Sequence, residues 1–131
     1  MSKIWLSLIL VSLASLLFAG GGTEDQTGKI SPEQAKALLQ SDTSVVLLDV
    51  RTAEEFTPGH IAGARLIPYD SINAAKAAAL IPNFDSKVVV YCRSGHRSGI
   101  AVRTLRDLGY RNVLDLGGLM QWPYPLVNGA P

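Results

Sequence analysis

The sequence predicts an α/β domain with a mostly parallel central sheet flanked by helices. Val45–Val50 and Lys87–Tyr91 are short, almost continuously apolar runs rich in β-branched residues, as expected of strands that are covered on both faces. Segments with helical periodicity or helix-start signals separate the candidate strands, and such alternation is typical of parallel sheets. The sequence has no internal repeat and no second linker, which favours a single unit.

The first helix has a clear start signal. Ser31 is placed to be the N-cap, Pro32 occupies the first helical position, and Gln34 stands where it completes a capping box. The helix is predicted to run to about Gln40. Ile30, just before it, is a candidate for a first short strand.

The remaining elements follow from apolar runs and from the glycines and prolines that bound them. An alanine-rich helix is predicted to be capped by Asp70 or Ser71 and to run through Leu80. The helix after the second apolar strand is predicted to start near Ser98, and Gly109 ends it. The other predicted elements are a helical turn at Thr52–Phe56, a brief strand at Ala64–Pro68, a strand at Asn112–Leu116, a turn at Gly117–Gly118 and a helical turn at Leu119–Trp122.

The amino terminus carries the pattern of an export signal. Lys3 precedes the nearly continuous apolar run Ile4–Ala19, and the small residues Gly20–Gly22 that follow it are suited to cleavage. At about 1.5 Å per residue, this run is shorter than a hydrocarbon core of about 30 Å. We therefore predict a secretory signal peptide at residues 1–22, one domain at residues 23–131, and a periplasmic or secreted protein with no stable membrane anchor after processing. An uncleaved anchor is the alternative.

The composition excludes several classes of function. A formal net charge of +1 gives no basic surface for a nucleic acid. One cysteine and two histidines cannot fill a structural zinc site. A catalytic metal site made of Cys92, His60 and His96 is the remaining metal alternative, and we predict neither a metal nor a cofactor.

Residues that are able to take part in catalysis cluster where the strand Lys87–Tyr91 ends. The only cysteine, Cys92, starts a loop that leads into a helix, so the free N–H groups of the loop and of the helix N-terminus are expected to converge near its sulfur. Arginine charges in the loop add to this effect, and both favour the thiolate, the nucleophilic form of cysteine. The alternative is a cysteine that serves as a small core residue. The candidate site residues are the nucleophile Cys92 and the loop residues Arg93, Ser94, Gly95, His96, Arg97 and Ser98.

Two further charges lie at the end of the other apolar strand. Asp49 and Arg51 are predicted to reach the same sheet edge as Cys92, because the carboxyl ends of parallel strands meet at one edge. Charges at the end of a buried strand need partners, so we expect these two to pair with each other or with loop groups and to support the site. His60 is expected to pack beneath the loop, whereas a contact with Cys92 would indicate a cysteine-hydrolase dyad.

Three segments of the chain resemble the rhodanese-like sulfurtransferase family, in particular its single-domain exported type. They are Asp49–Arg51 with Glu55–Phe56 and Gly59–Ala64, the loop Cys92–Ser98, and Leu116–Gly118 with Trp122, and together they cover essentially the whole mature chain. The resemblance implies a three-layer domain with a five-stranded central sheet. It also implies that Cys92 carries a persulfide stabilised by loop amides, that Arg93 and His96 meet an anionic sulfur donor, and that Arg97 braces the loop.

The activity that the resemblance implies is thiosulfate-type sulfur transfer. A small anionic donor such as thiosulfate loads its sulfane sulfur onto Cys92, and cyanide or a thiol acceptor removes it. Only four residues separate Cys92 from Arg97, whereas similar phosphatases and arsenate reductases have a longer loop, so the spacing favours sulfur over phosphoryl chemistry. The loop also lacks the glycine-valine-threonine ending of mercaptopyruvate-type members, which favours a thiosulfate-type donor. A persulfide carrier with little turnover and a small cysteine phosphatase are the alternatives.

Overall fold

The computed structural model describes residues 28–131, so the predicted signal peptide at residues 1–22 lies outside the described residues. The strands in the described region are β1 (Val46–Asp49), β2 (Arg65–Leu66), β3 (Lys87–Cys92) and β4 (Asn112–Gly118). They form one parallel sheet in the order β2–β1–β3–β4. No helix in residues 28–131 is long and apolar enough to cross a membrane. The assignment of residues 23–131 to a single domain stays a prediction.

Four α-helices accompany the sheet in the described part of the chain: α1 (Pro32–Ser41), the single turn α2 (Ala53–Phe56), α3 (Ala74–Leu80) and α4 (His96–Asp107). Along β3, the side chains of Val88, Val90 and Cys92 join the apolar cluster that α3 and α4 cover. Those of Val89 and Tyr91 join a second cluster, on the face that α1 covers. The predicted α/β class, with helices on both faces of a parallel sheet, is confirmed.

The sheet has four strands in the described region, where five were predicted. The predicted strand at Ile30 is reduced to a parallel bridge between Lys29 and Asp115, in which the Ile30 N–H donates to the Asp115 carbonyl over 3.0 Å. The strand cannot lengthen, because Ser31 is already the N-cap of α1 and forms the predicted capping box with Gln34.

The start of α3 differs from the prediction. Asn73, rather than Asp70 or Ser71, is the N-cap, and its Oδ1 accepts the N–H of Lys76 over 2.9 Å. Tyr69–Ser71 forms a separate 3₁₀ turn. Asparagine, aspartate and serine satisfy the free N–H groups of a first turn about equally well, so residue type alone does not identify which of several neighbouring candidates is used.

The end of β4 also differs from the prediction. Gly117 and Gly118 were expected to form a turn, but they continue the strand and pair with Tyr91 and Cys92. A bulge shifts the register between Val90 and Tyr91. Gly117 lies at φ +83°, a conformation that glycine adopts at little cost, so the pair of glycines bends the strand where it passes the end of β3.

Candidate active site

Cys92 is the last residue of β3, and its thiol is free. The residue is 0% exposed and belongs to the apolar cluster beneath α4. Its sulfur nevertheless accepts a hydrogen bond from the Gly95 N–H over 3.0 Å. Several loop amides were predicted to point at the sulfur, and the Gly95 N–H is the one that donates a hydrogen bond to it. The sulfur is also more enclosed than expected.

The loop after Cys92 enters α4 earlier than predicted, because His96 rather than Ser98 is the first helical residue. Gly95 is the N-cap at φ +103°, where a residue with a β-carbon would be strained. The Ser98 hydroxyl and the Gly99 N–H both donate to the Gly95 carbonyl, over 3.0 and 3.2 Å. The first N–H groups of α4 have no acceptor within the helix, so the loop ends in free donors close to the cysteine.

The backbone at the end of β4 packs in direct contact with this loop. A β-carbon at Gly118 would lie 2.7 Å from the Arg93 carbonyl oxygen and 3.0 Å from backbone atoms of Ser94. The Met120 N–H donates to the same Arg93 carbonyl over 3.3 Å. Only glycine fits at position 118 without displacing the loop, and the loop and the end of β4 form one packed unit.

Arg97 is held by a partner that was not predicted from the sequence, Glu55. Its guanidinium donates to both carboxylate oxygens of Glu55, over 2.7 and 2.9 Å, and so ties α4 to α2. The hydrogen bonds from Arg97 are the main reason why the pKa of Glu55 is lowered to about 2. Glu55 also completes a capping box with Thr52, and that three-residue spacing is the signal in the sequence that indicates a fixed position for this carboxylate.

Neutralising Glu55 is expected to lower the free energy of unfolding at neutral pH but not in acid. Because its folded-state pKa of about 2 lies below its ordinary value of 4.5, its contribution is complete above about pH 4.5 and is lost as the pH falls towards 2. Glu55→Gln keeps the cap and removes the charge, so we expect the free energy of unfolding to fall by roughly 1 kcal/mol at neutral pH. Urea unfolding at neutral pH and near pH 2 measures this difference, with Glu54→Gln at the exposed neighbouring position as the control. A difference of equal size at both pH values would contradict the prediction.

Asp49 and Arg51 pair with each other, which is one of the two arrangements expected. The Arg51 side chain donates to the Asp49 carboxylate over 2.7 to 3.1 Å and to the Gly59 carbonyl over 2.7 Å. Both residues are buried, at 0% and 5% exposed. Burial is the largest single effect and lowers the pKa of Arg51, but the hydrogen bonds to Asp49 and the attraction of nearby negative charges, Asp49 first, together outweigh burial and raise that pKa. The pair fixes the end of β1 beside the loop and leaves no unbalanced charge there.

His60 packs below the site and is not bonded to the sulfur. Its ring stacks on Phe56 with the centroids 3.7 Å apart, and its Nδ1 lies 2.9 Å from the Phe56 carbonyl oxygen. No hydrogen bond joins His60 to Cys92, so these two side chains do not form the dyad of a cysteine hydrolase. Within residues 28–131, no group of three potential metal-ligating side chains lies together.

The other loop side chains form a rim. Arg93, Ser94 and His96 are exposed, and Arg93 reaches a cavity of about 360 Å³. Met120 and Leu126 were not predicted as site residues, because nothing in their local sequence pattern places them beside the Cys92 loop. The cavity is lined by Arg51, Glu55, Arg93, Leu119, Met120 and Leu126.

The chain is similar to proteins of one family. The model of the family described as "Rhodanese-like domain" matches residues 31–123. The chain is 35% identical over 94 residues to the "Probable adenylyltransferase/sulfurtransferase MoeZ" of Mycobacterium tuberculosis, in a match that covers 71% of this chain and 24% of that protein. The chain thus spans about a quarter of that relative. It is 37% identical over 82 residues to the "Thiosulfate sulfurtransferase PspE" of Escherichia coli, which covers 63% of this chain and 78% of the relative.

Solved structures have the same architecture. A structure described as "rhodanese with anions from E. coli" is 35% identical, with a TM-score of 0.59 over 65% of this chain and 99% of the other. A rhodanese-like domain protein from Staphylococcus aureus is 30% identical, with a TM-score of 0.67 over 78% of this chain and 98% of the other. Both matches include almost the full length of the compared chain.

Proposed function

The chain belongs to the rhodanese-like domain family, and on that premise we propose that it is an exported sulfurtransferase that works through a persulfide on Cys92. The observation that carries the proposal is the position of the Cys92 sulfur, which accepts the Gly95 N–H over 3.0 Å beside the N-terminus of α4. A hydrogen-bond donor and a helix N-terminus both favour negative charge on sulfur. The thiolate and the persulfide anion are the two states that sulfur transfer requires.

Sulfur transfer proceeds in two displacements. In the first, the Cys92 thiolate attacks the outer sulfur of thiosulfate, a new S–S bond forms, the S–S bond of the donor breaks, and sulfite leaves with the bonding electron pair. In the second, cyanide or a thiolate attacks the terminal sulfur of the persulfide and forms a bond to it. The S–S bond to Cys92 breaks, its electron pair stays on the Cys92 sulfur, and thiocyanate or a new persulfide leaves. The Cys92 thiolate is thereby restored. Covalent catalysis of this kind divides one difficult step into two easier ones.

The arginines around the loop have two different roles: some hold the loop in place, and one is available to bind an anionic donor. Arg51 is paired with Asp49 and Arg97 with Glu55, so their charges are already compensated. Arg93 is exposed at the cavity, where it is available to an anionic donor. The name of the relative PspE, a thiosulfate sulfurtransferase, supports thiosulfate as that donor.

The enclosure of the sulfur sets a condition on both displacements. Because Cys92 is 0% exposed, the short loop from Cys92 to α4 has to move before a donor reaches the thiol. The same enclosure favours a second candidate function, a persulfide carrier that accepts sulfur and releases it slowly. The two candidates share the first displacement and differ in the rate of the second.

The proposal includes export of the protein from the cytosol. Its support is the apolar run Ile4–Ala19 with Lys3 before it and small residues after it. The periplasmic or secreted fraction is expected to contain a mature protein that begins near Thr23. Amino-terminal sequencing of the protein from that fraction tests this expectation, and recovery of the full-length chain from the cytosol would refute it.

The test of function is a thiosulfate–cyanide assay on protein that begins near Thr23. After treatment with thiosulfate, the intact mass is expected to rise by the mass of one sulfur atom, and peptide mapping is expected to place that sulfur on Cys92. Steady formation of thiocyanate supports the enzyme, whereas a persulfide without turnover supports the carrier. Hydrolysis of an aryl phosphate with no sulfur transfer would refute both and support a phosphatase.

A further inference from the structure

The His60 ring, which has no part in the proposed sulfur transfer, is held in one orientation. It stacks on the Phe56 ring with the centroids 3.7 Å apart, and its Nδ1 lies 2.9 Å from the Phe56 carbonyl oxygen. The backbone of His60 is fixed as well, by two hydrogen bonds of 2.9 Å to Val127. The residue is 8% exposed, so this is a buried and rigidly placed imidazole.

The hydrogen bond at Nδ1 determines what the other ring nitrogen is able to do. A carbonyl oxygen only accepts, so Nδ1 carries the hydrogen, and Nε2 of the neutral ring is an acceptor. No hydrogen bond joins Nε2 to another residue within 28–131. In that range, the buried side-chain atom that has neither a partner nor access to solvent is Trp122 Nε1, so His60 Nε2 reaches open space. A buried acceptor without a protein partner is suited to a donor from a ligand.

The open space beside the His60 ring is a second cavity, with a volume of about 290 Å³. It differs from the cavity beside Arg93, although α2 contributes to both, with Glu55 in the first and Phe56 in the second. Its wall combines two polar side chains with four apolar ones, and these six are His60, Arg65, Phe56, Ala64, Leu66 and Leu80.

Arg65 supplies a positive charge that the protein does not compensate. The residue is exposed on the short strand β2, and it forms no ion pair with any carboxylate of the described residues. No acidic side chain lines the cavity either. A carboxylate is therefore attracted to the guanidinium, whereas an ammonium group would meet a like charge without a counter-charge.

We propose that this second cavity is a binding site for small hydroxycarboxylates with an apolar body, of which mandelate is an example. The Arg65 guanidinium binds the carboxylate, His60 Nε2 accepts the hydroxyl hydrogen, and the ring is removed from water against the apolar wall. The site is separate from the Cys92 loop, and binding there requires no sulfur chemistry. The inference therefore does not depend on the proposed function.

Two probes that differ by one hydroxyl group test the role of the imidazole. Mandelate is expected to bind the wild-type protein at least about fivefold more tightly than phenylacetate, because phenylacetate leaves Nε2 without a donor. In His60→Asn, the two affinities are expected to agree within about twofold. An asparagine amide is able to keep the hydrogen bond to the Phe56 carbonyl, but it has no atom in the place of Nε2. Isothermal titration calorimetry gives the affinities, and thermal unfolding verifies that each variant is folded.

Arginine substitutions locate the site. Arg65→Gln is expected to weaken the binding of both probes by about tenfold, because it removes the charge that holds the carboxylate. Arg103→Gln is the matched control, since Arg103 is also exposed and does not line the cavity. Arg93→Gln, at the cavity beside the Cys92 loop, is likewise expected to leave the affinity for mandelate unchanged.

Three outcomes would overturn the proposal. They are equal affinities of the wild-type protein for mandelate and phenylacetate, an unchanged affinity in Arg65→Gln, and a loss of binding in Arg93→Gln that Arg65→Gln does not produce. If His60→Asn does not fold, the comparison of the two probes on the wild-type protein and the arginine variants still decides. Thiocyanate formation has no part in these measurements, so a failure of the proposed function leaves their outcome unaffected.

Discussion

Replacing Cys92 by serine is expected to reduce thiocyanate formation by about 10³-fold or more, because a serine hydroxyl forms no persulfide. The fold should persist, since a serine oxygen is also able to accept the Gly95 N–H that now bonds to the sulfur at 3.0 Å. Burial of a hydroxyl in an apolar cluster is expected to lower the free energy of unfolding by about 1–3 kcal/mol. The thiosulfate–cyanide assay and urea unfolding measure the two effects.

Cys92→Ala separates the chemical role of the sulfur from its structural role. The alanine variant is expected to be equally inactive, but its Gly95 N–H is left without an acceptor at an enclosed position. Turnover that survives in both variants would show that sulfur does not pass through this thiol. Loss of turnover together with loss of the folded state in both variants would assign Cys92 to the core, which is the alternative stated from the sequence.

Replacing Asp49 by asparagine is expected to lower the free energy of unfolding by about 3–5 kcal/mol, because the change leaves the charge of Arg51 buried without its counter-charge. The two side chains are 0% and 6% exposed and meet at 2.7 Å. Urea unfolding measures the loss. A double variant, Asp49→Leu/Arg51→Leu, is expected to recover much of the stability, because an apolar pair removes the uncompensated charge.

The ion pair between Asp85 and Arg111 provides a matched control for this prediction. Its contact distance is also 2.7 Å, but its side chains are 71% and 63% exposed. Asp85→Asn is expected to change the free energy of unfolding by less than about 1 kcal/mol, because water screens an exposed pair. Equal losses in Asp49→Asn and Asp85→Asn would show that burial of the Asp49–Arg51 pair does not determine its contribution.

The fold was largely predictable because its signals are local. Continuous apolar runs marked β1 and β3, and the spacing of Ser31 and Gln34 marked the start of α1. The errors arose where neighbouring residues offer equivalent local solutions. Asn73, Asp70 and Ser71 are all suitable N-cap residues within four positions, and residue type alone does not show that Asn73 is the one used.

The end of β4 illustrates a different limit. Two successive glycines suit a turn, and they also suit a strand that approaches another backbone closely. What decides between these at Gly118 is the Arg93 carbonyl, 2.7 Å from where a β-carbon would stand. That contact joins residues far apart in sequence, so no local pattern contains it.

The residues of the candidate site also differ in whether a local sequence pattern predicts their position. Cys92 and its loop are contiguous, so their placement at the end of a strand and the start of a helix followed from the sequence. Glu55, Met120 and Leu126 reach the site from separate segments, and the sequence offered a signal only for Glu55, in its spacing from Thr52. Chain topology, rather than residue pattern, brings these side chains together.

The enclosed position of the single thiol also determines how molecules of this protein cross-link. A disulfide requires two sulfur atoms at about 2.0 Å, and two folded copies cannot bring thiols that lie under their own loops to that separation. Covalent dimers formed under oxidising conditions therefore originate from chains whose Cys92 loop has opened or unfolded. The rate at which these dimers appear on a non-reducing gel therefore depends on how often the Cys92 loop opens or the chain unfolds. A substitution remote from the sulfur changes this rate only by changing the stability of the loop or of the fold.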